Sequence, residues 1–102
     1  MSETVRDDPA AGRFELLVDG TVAGFVTYRP EGDALALVHT EVDDAYEGQG
    51  IGSRLVGSVL DQLADREVAV LPYCPFIQDY LRKHPDRQDL VPEPDRARFG
   101  LT

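Results

Sequence analysis

The chain has 102 residues, of which 42% are hydrophobic, so we expect one domain with a single core. It carries 10 Lys and Arg against 19 Asp and Glu, and the net charge of −9 argues against nucleic acid or an anionic membrane as a partner. One cysteine cannot form an internal disulfide, and the first residues lack the apolar core of a signal peptide. We therefore expect a soluble, cytoplasmic protein.

Residues 13–42 are predicted to form strands, after an N-terminal arm. Residues 1–12 show no periodicity and are expected to form a flexible arm. Two β-prone runs then flank Asp19-Gly20, a pair that favours a type I′ turn because both central residues of that turn need positive φ. A second turn at 30–33 leads into a third strand over 34–42. This part of the chain is thus predicted to be a three-stranded antiparallel meander.

The second part of the chain alternates between helix and strand. Apolar residues at helical spacing predict an amphipathic helix over 52–65, and 67–71 is short and apolar, as a buried strand should be. A second amphipathic helix is predicted over 75–84. The order β-β-β-α-β-α indicates an α/β fold of the α+β type with a mixed sheet. We assign the domain to 13–91 and a tail to 92–102.

A glycine-rich loop separates the third strand from the first helix. Its residues are Gly48, Gln49, Gly50, Ile51 and Gly52. Backbone N–H groups and the positive end of a helix dipole can bind phosphate here, and glycine keeps side chains out of the way. The spacing matches neither the dinucleotide-binding nor the P-loop pattern. A glycine-rich turn without a ligand is therefore an equal alternative.

Three motifs in the same order resemble one family. The segment 42–55 looks like the acetyl-CoA diphosphate loop of the GCN5-related N-acetyltransferases, Q/R-x-x-G-x-G/A. His39-Thr-Glu-Val precedes the loop, Pro72-Tyr-Cys-Pro-Phe follows the next strand, and Tyr80-Leu-Arg-Lys-His-Pro closes the second helix. These details resemble the small subfamily typified by a reactive cysteine. The resemblance covers about 13–91 and implies a minimal acetyltransferase fold.

The resemblance implies that acetyl-CoA is the cofactor, used as a substrate, and that no metal is needed. Backbone groups of the loop would hold the diphosphate, the strand before it would run along the pantetheine arm, and one arginine would assist. The implied residues are Val42, Gly48, Gln49, Gly50, Ile51, Gly52, Ser53 and Arg54. Glu47 departs from the motif, which has Gln or Arg at that position, and adds a charge that repels phosphate.

Cys74 is the candidate nucleophile. Pro75 favours the first position of a helix, which puts Cys74 at the N-cap, where N–H groups and the dipole would stabilise a thiolate. From the residues alone, a cysteine that simply packs in the core is a strong alternative. The resemblance implies that Cys74 lies beside the acetyl group and that an acetyl-cysteine intermediate forms.

His39 and Glu41 are candidates for the base that accepts a proton from the incoming amine. They are two residues apart on a strand and are expected to share a face with Leu37. We assign His39 as the base and Glu41 in support; exposed residues at a strand end are the alternative. The resemblance implies proton donation to the leaving CoA thiolate as one role for Tyr80. Because Tyr80 lies about 600° around its helix from Cys74, we instead expect it to point away and to pack.

The function predicted on this basis is transfer of an acetyl group from acetyl-CoA to an unidentified amine. Full-length members of the family carry extra helices that build the amine site, but Asp19-Gly20 joins the first two strands directly. The acceptor would therefore be large, or would be supplied against an open face. One alternative is a CoA-binding or interaction module without turnover. Another is an acidic interaction domain that binds no CoA.

Overall fold

The computed structural model describes residues 2–101 and shows a five-stranded sheet in which the strands lie in chain order. The strands are β1 (Glu3–Asp8), β2 (Arg13–Val18), β3 (Thr21–Glu31), β4 (Ala34–Val42) and β5 (Ala69–Pro72). The first four are antiparallel, and β5 is parallel to β4. The α+β class and the mixed sheet are confirmed, with one strand more than predicted.

Helices connect and follow the last strands. They are α1 (Ile51–Asp65), α2 (Pro75–Lys83) and the single turn α3 (Glu93–Arg96), with 3-10 segments at Asp44–Tyr46, Pro85–Leu90 and Ala97–Phe99. The predicted bounds of α1 and α2 are correct to within one residue. The α1 side chains at the predicted apolar spacing are buried, and Ile51 at the start of the helix is buried with them: Leu55, Val56, Val59, Leu60 and Leu63. Within residues 2–101, no helix is long and apolar enough to cross a membrane.

The turn between β2 and β3 has the predicted geometry. Asp19 has φ of 49° and Gly20 has φ of 85°, so both central residues adopt the left-handed conformation. A two-residue turn of this kind matches the twist of the flanking strands. The direct β2–β3 connection is confirmed.

The N-terminal segment is a strand, so the prediction of a flexible arm over 1–12 is wrong for residues 3–8. Strand β1 pairs with β2 along its whole length. Helix α1 also binds it: Gln62 Nε2 donates to the Val5 carbonyl at 3.2 Å, and Arg66 pairs with Asp7 at 3.0 Å. These α1 partners are more than 50 residues away, and β1 itself has a single apolar residue, Val5, so it lacks the apolar alternation that would indicate a strand. Met1 lies outside the described residues.

The C-terminal segment packs on the domain, so the prediction of a tail over 92–102 is wrong for its described part. Phe99 and Leu101 are buried, and Phe99 packs edge-on against Tyr73 with ring centroids 5.2 Å apart. Because these two apolar residues join the core, the packed domain extends past 91 to 101. Thr102 lies outside the described residues.

The side of the sheet that faces α1 can be followed through two aromatic contacts and one pair of residues on neighbouring strands. The Arg66 guanidinium, at the end of α1, lies 5.6 Å from the centroid of the Phe14 ring. Phe14 packs against Tyr28 with centroids 5.2 Å apart, and Tyr28 is opposite Leu37 in the β3–β4 register. Leu37 therefore points toward α1 and is fully buried.

A β-bulge at Val38 reverses the orientation of the residues that follow. Thr27 is opposite His39 and Tyr28 is opposite Leu37, which leaves Val38 as the extra residue of β4. His39 and Glu41 consequently lie on the face away from α1. The prediction that they share a face with Leu37 is wrong, because strict alternation does not continue through a bulge.

The face of the sheet away from α1 carries a buried carboxylate, which forms ion pairs with two arginines. Glu15 is only 2% exposed, and it accepts hydrogen bonds from Arg6 Nε at 2.8 Å and Arg13 Nε at 2.7 Å. Burial raises the pKa of Glu15, but the hydrogen bonds from Arg13 and Arg6 outweigh it and hold the pKa below the ordinary range. The carboxylate thus stabilises the fold in its charged form.

We expect Glu15→Gln to destabilise the protein by about 1–3 kcal/mol at neutral pH, because a charged acceptor of two hydrogen bonds is lost. A carboxyl with a lowered folded pKa contributes its stability above the unfolded value of about 4.3 and loses it as pH falls further. The difference between variant and wild type in chemical denaturation should therefore shrink below about pH 4. Asp79→Asn, which removes an exposed pair with Lys83, is the control with little expected effect. A Glu15→Gln deficit that does not shrink as the pH falls from about 5 to about 3 would contradict the lowered pKa of the folded Glu15 carboxyl.

Candidate functional site

The glycine loop adopts a conformation that favours glycine at two positions. Gly48 has φ of 79°, and Gly50 has φ of 73° and ψ of 17° at the N-cap of α1. The loop is entered through the 3-10 turn after β4, where the Asp43 carboxylate accepts a hydrogen bond from the Ala45 N–H at 2.9 Å. Two left-handed residues so close together turn the chain sharply into the helix. Because both are glycines, no side chain covers the backbone of the loop at these positions.

The start of α1 presents backbone donors beside this loop. The Arg54 N–H donates to the Gly50 carbonyl at 3.1 Å, which is the first hydrogen bond of the helix. By the geometry of an α-helix, the N–H groups of Ile51, Gly52 and Ser53 have no acceptor within the helix. Together with the helix dipole, these donors form a site suited to a phosphate group.

A cleft of about 280 Å³ opens beside the loop and has apolar walls. It is lined by Val42, Tyr46, Glu47, Gly48, Gly50, Ile51, Gly52, Ser53 and Phe76. The Phe76 ring is 45% exposed and lies so close to α1 that a Cβ at Gly52 would be 2.9 Å from its Cζ. Glycine at position 52 therefore lets an aromatic ring form one wall of the cleft.

The sheet opens next to this cleft, because β4 and β5 separate. Their pairing ends at Leu37 and Pro72, and just beyond it the Cys74 N–H donates to the Leu37 carbonyl at 3.1 Å. The Asp43 N–H donates to Ala23 of β3. Because backbone groups of alternate residues face opposite sides of an antiparallel strand, those of Thr40 and Val42 face the gap.

Cys74 lies at the point where the two strands separate. It is the N-cap residue of α2, as predicted, but its side chain makes no capping hydrogen bond. The sulfur instead lies 3.4 Å from Thr40 Oγ1, and the residue is only 4% exposed. Cys74, the open edge of β4 and the glycine loop are thus adjacent along one side of the sheet.

The structure does not bring His39 and Glu41 next to Cys74. Their side chains lie on the opposite face of β4 and are 58% and 59% exposed, with His39 Nε2 3.5 Å from Glu41 Oε1. The predicted proximity of these two residues to each other is observed. They can reach a group held beside Cys74 only through the gap between β4 and β5.

Tyr80 packs between the two long helices. Its hydroxyl lies against Gly57 of α1, where a Cβ would be 2.8 Å from Oη, and its ring stacks on His84 with centroids 3.9 Å apart. Burial raises the pKa of Tyr80, with the Asp61 and Asp86 carboxylates adding to the effect. The predicted packing role is observed.

Arg54 is engaged within the protein, by a partner that the sequence did not indicate. Its Nε and Nη2 donate to the Glu3 carboxylate at 2.7 and 3.1 Å, and its Nη1 donates to the Gln49 carbonyl at 2.6 Å. Glu3 is 51 residues away, so no spacing pattern could have identified it.

The sequence agrees with one family over most of the chain. The profile described as GCN5-related N-acetyl-transferase matches residues 13–90, which include the glycine loop, the open edge of β4 and Cys74. The chain belongs to the GCN5-related N-acetyltransferase family. The resemblance seen in the motifs is thereby confirmed, while β1 and the segment after position 90 lie outside the matched region.

Relatives in vertebrates match a shorter part of the chain. Protein NATD1 from Gallus gallus and from Mus musculus is 39% identical over 49 residues, which are 48% of this chain and 44% of each relative. The Homo sapiens protein has the same identity over 43% of its length. The match thus spans less than half the length of these relatives.

Solved structures share the fold. A GCN5-like putative N-acetyltransferase from Staphylococcus aureus superposes with a TM-score of 0.65 at 22% identity, covering 87% of both chains. The ribosomal-protein-S18-alanine N-acetyltransferase from Escherichia coli has a TM-score of 0.53 at 31% identity, covering 59% of this chain and 39% of the enzyme. The mixed sheet and its helices are therefore those of an acetyltransferase fold.

Proposed function

We propose that this protein binds acetyl-CoA and transfers its acetyl group to an amine. One observation carries the proposal: the glycine loop, the open backbone edge of β4 and Cys74 follow one another along the same side of the sheet. Acetyl-CoA has parts of matching chemistry in the same order, namely a diphosphate, an arm with two amide groups and a thioester. The family membership supports the same assignment.

The residues present suit each part of this ligand. Backbone N–H groups between Gly48 and Ser53 would hold the diphosphate, since the two left-handed glycines leave them uncovered. Backbone groups of Thr40 and Val42 would pair with the amides of the arm as an added strand would. Phe76 would cover the apolar part of the arm and exclude water.

Negative charge near the glycine loop limits its affinity for CoA. Glu41, Asp43, Asp44 and Glu47 are exposed carboxylates on or near the loop, and Arg54 is already paired with Glu3. Each carboxylate at about 6–10 Å from a phosphate through solvent costs some tenths of a kcal/mol. Backbone donors must then supply most of the affinity, and binding should depend only weakly on salt.

We further propose that Cys74 carries the acetyl group between the two substrates. Its sulfur would attack the thioester carbonyl carbon, forming a bond to the acetyl group as the bond between that carbon and the CoA sulfur breaks. The proton that the Cys74 thiol gives up would pass to the departing sulfur, so that CoA leaves as the thiol. The acceptor nitrogen would then displace the sulfur, which regains a proton. His39, with Glu41 in support, would take the proton that the ammonium of the acceptor loses. Both side chains lie on the face of the sheet away from α1 and would act through the gap between β4 and β5.

The acceptor that this geometry favours is a macromolecular amine. His39 and Glu41 are exposed on the face of the sheet away from α1, and the cavity that Glu41 lines has a volume of only about 130 Å³, so the partner must supply the other side of the site. The similar Escherichia coli enzyme is named for an alanine of a ribosomal protein, which supports a protein amine as the class. A cytoplasmic location is proposed on the same basis, as the place where acetyl-CoA and such acceptors meet.

A CoA-binding module without turnover is the second candidate, favoured by the burial of Cys74 and its separation from His39. Incubation with radiolabelled acetyl-CoA, followed by acid precipitation and peptide mapping, distinguishes the two. We expect label on Cys74 that is lost when an amine-bearing peptide mixture is added. Thermal stabilisation by CoA without any labelling would identify the module. No stabilisation by CoA would contradict both functions.

A further inference from the structure

We propose that Arg54 is a positioning residue through which strand β1 holds the glycine loop in its ligand-binding shape. Its guanidinium bridges two separate parts of the chain. Two of its nitrogens bind the Glu3 carboxylate of β1, and the third binds the Gln49 carbonyl of the loop. The proposal rests on the proposed function, because it assigns a role in binding CoA.

The bridge determines which way a loop N–H group points. Gln49 C=O and Gly50 N–H belong to the same peptide group, and in a trans peptide they point in opposite directions. Holding the Gln49 carbonyl against Arg54 therefore turns the Gly50 N–H away from the guanidinium, toward the cleft that Gly50 lines. The guanidinium is packed close beneath this peptide, since a Cβ at Gly50 would lie 3.2 Å from Arg54 Nη1.

Strand β1 is anchored well enough to serve as the fixed end of the bridge. Alternate positions of β1 contact one side of α1: besides Glu3 with Arg54, Val5 accepts from Gln62 and Asp7 pairs with Arg66. Pairing with β2 fixes the other side of the strand. Because β1 lies outside the region that matches the family, residues beyond that region complete the ligand site.

Loss of the bridge between Glu3 and Arg54 is expected to weaken CoA binding. If Glu3 only kept Arg54 away from the phosphates, removing the Glu3 charge would tighten CoA binding. If the bridge orients the loop, removing either partner weakens binding. The pair is partly exposed, so we expect a weakening of about two- to five-fold rather than complete loss.

Calorimetric titration of the full chain with CoA tests the coupling. Glu3→Gln and Arg54→Ala should each raise the dissociation constant about two- to five-fold, and the double variant should be no weaker than Arg54→Ala. Asp7→Asn is the matched control: it removes the equivalent ion pair at the other end of α1 and costs at least as much stability, because Asp7 also accepts from Tyr28. It should leave the dissociation constant unchanged. Tighter or unchanged binding by Glu3→Gln, or equal weakening by Asp7→Asn, would overturn the proposal.

A second readout needs no ligand. In NMR spectra of the unliganded protein, Glu3→Gln and Arg54→Ala should shift the Gly50 amide resonance, whereas Asp7→Asn should not. A Gly50 resonance that does not respond to either bridge variant would overturn the proposal even if CoA binds. If wild type binds no CoA while the resonance moves as expected, the proposed function is wrong and so is the assigned role in binding CoA.

Discussion

Gly50→Val is expected to weaken CoA binding by at least about 100-fold, which corresponds to about 2.7 kcal/mol. Gly50 has φ of 73°, a conformation that costs an L-residue about 1–2 kcal/mol and a β-branched residue more. The new side chain would also displace the Arg54 guanidinium, 3.2 Å from the added Cβ, and would stand at the rim where the diphosphate must approach. Calorimetry with CoA measures the effect.

Gly32→Val is the matched control for backbone strain. Gly32 has φ of 62° in the turn between β3 and β4, and nothing lies within 4 Å of a Cβ added there. It should lose stability comparably and still bind CoA like wild type. Arg54→Ala should cost only a few-fold in affinity, because backbone groups supply most of the binding. Equal losses from Gly50→Val and Gly32→Val, or from Gly50→Val and Arg54→Ala, would show that the loop backbone does not hold the ligand.

Cys74→Ser is expected to lower acetyl transfer by at least about 100-fold, because a hydroxyl is barely ionised at neutral pH and is a poor replacement for a thiolate. The serine hydroxyl can still approach Thr40 Oγ1, as the sulfur does at 3.4 Å, so the local structure should be kept. The measurement is the rate at which label passes from acetyl-CoA to an acceptor identified in the labelling experiment.

Cys74→Ala separates the chemical role from the structural one. The residue is small and its sulfur makes no capping hydrogen bond, so we expect a loss of about 1 kcal/mol in stability and an unchanged dissociation constant for CoA. Transfer should fall as far as in Cys74→Ser. If either variant transferred acetyl at the wild-type rate, the amine would attack acetyl-CoA directly. Cys74 would then be a packing residue only.

Much of the fold could be predicted because its determinants are local. Asp19-Gly20 specifies a tight turn through the φ values of two neighbours, and the apolar spacing of α1 specifies which of its sides is buried. Strand β1 could not be predicted, because only one of its six residues is apolar and the α1 residues that anchor it, Gln62 and Arg66, are distant in sequence. The same is true of Phe99, an isolated aromatic residue that joins the core through Tyr73.

The candidate site likewise has parts that local sequence determines and parts that depend on distant residues. The glycine loop and Cys74 lie within short motifs whose backbone preferences can be read directly, and both are in the expected elements. The positions of His39 and Glu41 depend on a bulge at Val38, which arises from pairing with β3 and reverses their side of the sheet. The bridge from Glu3 to Arg54 depends on tertiary packing alone.

A crystal structure of the protein with bound CoA tests the central claim most directly. The account predicts diphosphate oxygens within about 2.7–3.2 Å of backbone nitrogens between Gly48 and Ser53. It also predicts the pantetheine arm paired with Thr40 and Val42, and its sulfur close to Cys74. A diphosphate bound anywhere else, such as in the separate groove that Ser58, Asp61 and Tyr80 line between α1 and α2, would contradict the account.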